Sequence, residues 1–261
     1  MKNLVIVKGA GDIATGVIIK LHNCGFKVLA LEIPKPMAVR RTVSFCEAVY
    51  DGECEVEGVK ATLIKDVSEL ENVEGIAVLV DENAECTKKL NALAFVDATI
   101  AKKDLGLTLD LAEVVIGVGP PFEVGVHCHA VVESNRGHSL GKIIYKGKAQ
   151  ENTGLPSIVM GYDKERVIYS DVSGELLAIK KLGDYVEKGD TILKIDDVEV
   201  KTQINGIVRG LIRDGYVKKG LKIADVDPRD LSYEEVYCVS DKARCIAGGV
   251  LEAILNLKKV L

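Results

Sequence analysis

Residues able to do chemistry gather first at Gly9-Ala10-Gly11-Asp12-Ile13-Ala14, a GxGxxA pattern. It sits between the apolar run 4–7 (LVIV) and a stretch with helical spacing. Gly9 permits a tight turn, Gly11 lets the backbone approach a phosphate, and Ala14 lets helix and strand pack closely. The free N–H groups of a helix start attract an anion. Glu32 ends the next apolar run, about 20 residues on, where an acid binds ribose hydroxyls. The pattern predicts a nucleotide-type ligand held by Gly9, Gly11, Asp12, Ala14 and Glu32. Asp12 opposes this, because its charge repels a pyrophosphate, and the other reading is a packing turn without a ligand. Arg40 and Arg41 follow the second strand's carboxyl end, the edge where open α/β sheets bind ligands. Guanidinium groups there suit a phosphate or carboxylate; the alternative is solvated surface.

A second concentration runs from Val126 to His138 and holds three of the chain's four histidines. If 126–132 is a strand, His127 and His129 share one face and Cys128 takes the other. Such a pair suits zinc, with His138 or Glu133 completing the set. Alternatively, Arg136 and His138 bind an anion, with Cys128 as a catalytic nucleophile or soft-metal ligand. A purely structural strand and turn is the third reading. Asp225 and Asp227 form an acid pair that suits a hard cation or, more simply, a loop closed by an ion pair.

These residues need elements to hold them. The apolar runs 4–7, 28–31, 76–80, 94–100 and 114–118 read as buried parallel strands. Ile13, Val17, Ile18 and Leu21 lie on a helix face, with Gly25 as its cap. Residues 1–120 are therefore predicted as a Rossmann-like α/β domain with a parallel sheet. Residues 121–261 read as β-rich. Within them Tyr185-Val186-Glu187-Lys188-Gly189 recurs as Tyr216-Val217-Lys218-Lys219-Gly220, Ile192 as Ile223, and Asp196 as Asp227. The repeat, at about 165–228, is similar to the barrel-sandwich hybrid of biotinyl and lipoyl domains. The hairpin where those domains carry a modified lysine reads Ile195-Asp196-Asp197-Val198-Glu199-Val200 here, so the likeness implies a scaffold without a swinging arm. Residues 240–259 form an amphipathic helix interrupted by Gly248-Gly249, which mark a close approach.

Length and composition bound the function classes. The chain has 261 residues, which suggests two domains at about 150 residues each. It is 48% hydrophobic and 28% charged, enough apolar content for a core. Lys plus Arg is 34 and Asp plus Glu is 39, a net charge of −5, which argues against a nucleic-acid surface. No apolar run reaches the roughly 18 residues of a membrane span, and the start is too short for a signal-peptide core. Seven cysteines without a CxxC pair fit free thiols in the cytoplasm.

Several stretches together resemble one family. They are Arg40-Arg41-Thr42-Val43-Ser44-Phe45, residues 47–52 (EAVYDG), residues 97–103 (DATIAKK), Gly119-Pro120-Pro121-Phe122, residues 129–138 (HAVVESNRGH), residues 152–156 (NTGLP) and residues 225–229 (DVDPR). The family is that of the selenium-dependent molybdenum hydroxylase accessory (molybdenum cofactor biosynthesis) proteins. The resemblance implies a cytoplasmic maturation factor with a molybdenum hydroxylase client. Its ligand would be a molybdenum cofactor nucleotide or a selenium-containing precursor. Two other readings stay open: an NAD(P)-dependent oxidoreductase and a non-catalytic scaffold or chaperone. A homo-oligomer is compatible with each.

Overall fold

The computed structural model describes residues 3–152, 154, 158–229 and 233–258. Met1, Lys2, Thr153, Leu155, Pro156 and Lys259, which carry some of the expectations above, lie outside them. The chain forms two compact units. Unit 1 comprises Met1–Pro36, Val43–Asn152 and Val239–Leu261, and unit 2 comprises Met37–Thr42 and Thr153–Cys238. The division expected at residue 120 thus falls inside unit 1, because the chain after Pro121 adds strands to the first sheet.

Unit 1 is built on β1 (Leu4–Lys8), β2 (Lys27–Glu32), β3 (Glu53–Val56), β4 (Val59–Ile64), β5 (Ile76–Val80), β6 (Ala94–Asp97), β7 (Val114–Val118), β8 (Ala130–Val132) and β9 (Ile143–Ile144). They form one nine-stranded sheet in the order β3-β4-β5-β2-β1-β6-β7-β8-β9. Every neighbouring pair from β4 to β8 is parallel. The two edges are antiparallel. The β3–β4 hairpin turns at Glu57 (φ 50°) and Gly58 (φ 77°), a geometry that matches strand twist.

The helices are α1 (Asp12–Asn23), α2 (Ala48–Asp51), α3 (Tyr233–Val236) and α4 (Asp241–Lys258). Helix α1 ends where Gly25 adopts φ +86°. Gly25 N–H then bonds His22 O and Phe26 N–H bonds Leu21 O, satisfying the last carbonyls. Helices α1 and α4 pack on each other and on the sheet. A Cβ on Gly16 would lie 2.7 Å from Ala243 Cβ, so glycine sets their separation. The close approach expected at Gly248-Gly249 belongs to Gly249, where a Cβ would meet Gly141 O at 2.2 Å, while Gly248 faces open space. A second apolar layer joins Leu4, Ile6, Leu29, Leu31 and Phe95 to Leu70, Ala84, Leu107, Phe122 and Cys128 from the connections. Covered on both faces, β1 is buried along its whole length.

Unit 2 holds β10 (Val167–Tyr169), β11 (Gly174–Ala178), β12 (Tyr185–Val186), β13 (Thr191–Ile195), β14 (Val198–Lys201), β15 (Gly206–Leu211), β16 (Gly215–Val217) and β17 (Lys222–Asp227), with α3 beyond them. Two four-stranded sheets result, β10-β17-β15-β12 and β14-β13-β11-β16. The repeat explains the pairing. Strands β11 and β13 of the first copy pair, as do β15 and β17 of the second. The short strand of each copy crosses over: β12 pairs with β15 and β16 with β11. Val186, Ile192, Val217 and Ile223 meet in one core. The acid pair closes ion pairs, Asp225 with Arg166 and Lys222, and Asp227 with Arg229.

The expected combination of a Rossmann-like parallel sheet and a barrel-sandwich hybrid is thereby corrected. The large sheet is mixed, because hairpins close both of its edges. Among the described residues of unit 1 only α1 is a long crossover helix between strands; the other connections are loops, 3-10 segments and the single-turn α2. The rest is two four-stranded antiparallel sheets and a C-terminal helix.

Candidate functional site

In a sheet of parallel strands, β1 lies where the order reverses, with β2 on one side and β6 on the other. Connections leave in opposite directions there and open a crevice at the carboxyl ends. A cavity of about 250 Å³ occupies this place. Lys8, Gly9, Leu31, Glu32, Ile33, Asp81, Glu82, Asn83, Thr99 and Leu105 line it.

Gly9 turns the chain out of β1 with φ +94° and donates its N–H to Leu31 O at 2.8 Å. A Cβ at Gly9 would lie 3.3 Å from Thr99, so glycine lets the two turns meet. Glu32 accepts Ala10 N–H on Oε2 and Ile33 N–H on Oε1, each at 2.8 Å. Two N–H donors fix its plane and leave further lone pairs for ligand hydroxyls. Burial raises its pKa, against those two hydrogen bonds. Asp12 Oδ1 accepts Ile13 N–H at 2.8 Å, so the chain's own carboxylate serves part of the helix start. Gly11 faces open space and leaves room for a group beside its backbone. Ala14 is buried and serves packing alone.

Asp81 accepts Glu85 and Cys86 N–H and so shapes the opposite wall. Lys8 is only 8% exposed and donates to Leu105 O at 2.8 Å. Asp97 is completely buried beside it, at the end of β6. Its Oδ1 accepts the Thr99 hydroxyl at 2.6 Å and the Thr99 N–H at 3.1 Å, while Oδ2 has no hydrogen-bond partner. Burial raises the Asp97 pKa, opposed by Thr99 and then Lys8. Ile100, next in the chain, is β-branched yet has φ +53°, a backbone strain of about 1–3 kcal/mol.

The other sequence-predicted residues do not reach this cavity. Arg40 and Arg41 belong to unit 2, where Arg40 donates to Cys238 O at 3.0 Å and Arg41 to Leu211 O at 2.8 Å. Their fork geometry binds the chain's own carbonyls rather than a ligand. The strand expected at 126–132 begins only at Ala130, so His127 and His129 do not share a strand face. His127 Nδ1 accepts Glu123 N–H and His129 Nδ1 accepts Val115 N–H, each at 3.0 Å. Among the described residues no three His, Cys, Asp or Glu side chains gather as a metal set. Cys128 lies in the core with its pKa pushed up to about 11 by burial, which corrects its expected role as a nucleophile. Arg136 pairs with Asp241 through two hydrogen bonds, 2.8 and 3.0 Å, and His138 is exposed. Glu133 is spent on Asn135 and Gln150 N–H groups.

Sequence reasoning missed Lys8, Asp81, Asn83, Thr99 and Leu105. One signal was readable: Lys8 ends an otherwise apolar strand immediately before the glycine turn.

No family model matches the chain. It is 48% identical over 258 residues to the uncharacterized protein YqeB of Escherichia coli (strain K12), covering 97% of this chain and 48% of that protein. It thus spans about half the length of the curated relative it matches. Among solved structures it is similar to the product-bound ectoine utilization protein EutE (DoeB) from Ruegeria pomeroyi, at 14% identity and a TM-score of 0.28, covering 86% of this chain and 84% of that one. It is also similar to a succinylglutamate desuccinylase from Silicibacter sp. TM1040, at 10% identity, a TM-score of 0.28 and the same coverage. A third is an aspartoacylase family protein from Mesorhizobium loti, at 11% identity and a TM-score of 0.28, covering 85% and 84%. Likenesses this distant transfer no activity. None of these proteins is described as a molybdenum hydroxylase accessory factor, and the family resemblance is corrected accordingly. The maturation role falls with it.

Proposed function

We propose that unit 1 binds a nucleotide-type small molecule at the carboxyl edge of its sheet. Ribose hydroxyls face Glu32, and the phosphate lies outside the cavity beside Gly11. The observation that supports this is Glu32 itself: a cavity-lining carboxylate whose plane two backbone N–H groups hold. Glu32, Asp81 and Glu82 make the interior acidic, which suits hydroxyl groups inside and disfavours a phosphate there. Seven free thiols support a reducing compartment such as the cytoplasm. Among the described residues no helix is long and apolar enough to cross a membrane.

Titration calorimetry with adenosine 5′-monophosphate tests the reading. Binding is expected, and Glu32→Gln should weaken it about tenfold, because an amide cannot accept both backbone N–H groups and a diol. The variant should also lose about 1 kcal/mol of stability. Absence of binding at about 1 mM nucleotide overturns the assignment.

A further inference from the structure

The base of the cavity carries polar groups that the ribose and phosphate contacts leave unused. Lys8 lines it, 8% exposed, with three N–H donors, one of them given to Leu105 O. A buried ammonium needs further acceptors. Thr99 lines it as well, and its hydroxyl proton is directed away, onto Asp97 Oδ1 at 2.6 Å. That oxygen also receives Thr99 N–H, so it acts as an acceptor and the hydroxyl is the donor. Ala101 N–H takes one Thr99 lone pair weakly, at 3.4 Å. What remains for the cavity is an acceptor. Lys8 and Asp97 are in register on neighbouring parallel strands, so their side chains leave the same face of the sheet. Asp97 thus fixes the polarity of Thr99 from behind while its own second oxygen stays without a partner.

We infer that Lys8 and Thr99 form a donor–acceptor pair that reads the edge of a nucleobase, with Asp97 as the positioning residue. The matching edge has a ring acceptor beside an exocyclic amino donor, as in adenine. Hypoxanthine presents the reverse, a ring N–H beside a carbonyl oxygen. With the ribose held at Glu32, the base cannot turn over to exchange the two. The inference rests on the nucleotide reading and narrows it to amino-substituted bases.

The test compares adenosine and inosine 5′-monophosphates by calorimetry on the full chain. The wild type should bind the adenosine nucleotide at least about tenfold more tightly. Thr99→Val should abolish the preference, and Thr99→Ser should restore it. Asp97→Ala should abolish it too, whereas Asp97→Asn, which keeps an acceptor for the Thr99 hydroxyl, should preserve it. Thermal melts of Thr99→Val and Thr99→Ser that coincide show that the loss is not one of folding. Equal affinity for the two nucleotides in the wild type, or an unchanged ratio in Thr99→Val, overturns the inference and leaves the nucleotide site standing. Absence of binding by either nucleotide overturns both.

Discussion

The turn at Gly9–Ala14 and the segment from His127 to His138 both carry residue types that do chemistry, yet the structure uses them oppositely. At the first, backbone N–H groups hold Glu32 from one side and leave its other lone pairs toward a cavity. At the second, much of the hydrogen-bonding capacity goes to the chain's own backbone. The Nδ1 atoms of His127 and His129 accept backbone N–H groups, Glu133 accepts two more, and Cys128 is sealed in the core. A polar side chain is available to a ligand when the backbone orients it without exhausting it. Position at the carboxyl end of a parallel strand supplies that condition, because the backbone beyond the strand is free to turn away.

This contrast can be broken at several points. The largest effect should come from Gly249→Val. Its Cβ would lie 2.2 Å from Gly141 O, a rigid backbone atom, so the seat of α4 against the β8–β9 turn must shift. A loss of about 3 kcal/mol or more is expected in denaturant unfolding. A smaller effect follows from His129→Ala, which leaves Val115 N–H without its acceptor and should cost about 1 kcal/mol. Nucleotide affinity should stay unchanged; a loss of affinity would join the two regions that the structure keeps apart.

The subtlest effect concerns pH. Burial raises the Asp97 pKa in the folded chain. The folded state then holds its proton more tightly than the unfolded one. Stability from this group is therefore fully present below the ordinary aspartate range, and declines as pH rises through the raised value. Asp97→Asn should flatten that decline, measured as unfolding free energy across the acid-to-neutral range. A profile identical to wild type would show that Asp97 titrates normally.

Much of the scaffold was legible because it depends on local pattern. The strands at 4–7 and 28–31, the helix closed by Gly25 and the C-terminal helix follow from apolar spacing and capping. The repeat was legible too, since Tyr185-Val186 and Tyr216-Val217 alternate exposed and buried in the same way. The cavity was half legible. Gly9 and Glu32 announce themselves by spacing, but Thr99 reaches Gly9 only because β6 pairs with β1. Arg40 and Arg41 misled for the same reason: proximity to Glu32 in sequence does not survive when residues 37–42 join unit 2.

The amino-acid sequence by itself determined which segments bury themselves, where α1 ends, and that one glycine turn opens a helix after a strand. Apolar periodicity and glycine's access to positive φ act over a few residues and need no distant partner. Tertiary structure alone decided that hairpins make the large sheet mixed. It also placed Asp97 behind Thr99 and beside Lys8, and set His127 and His129 Nδ1 against backbone N–H groups. Each of those outcomes depends on which strand lies next to which. A hydrogen bond or a buried charge gains its meaning from neighbours that the order of residues along the chain does not name.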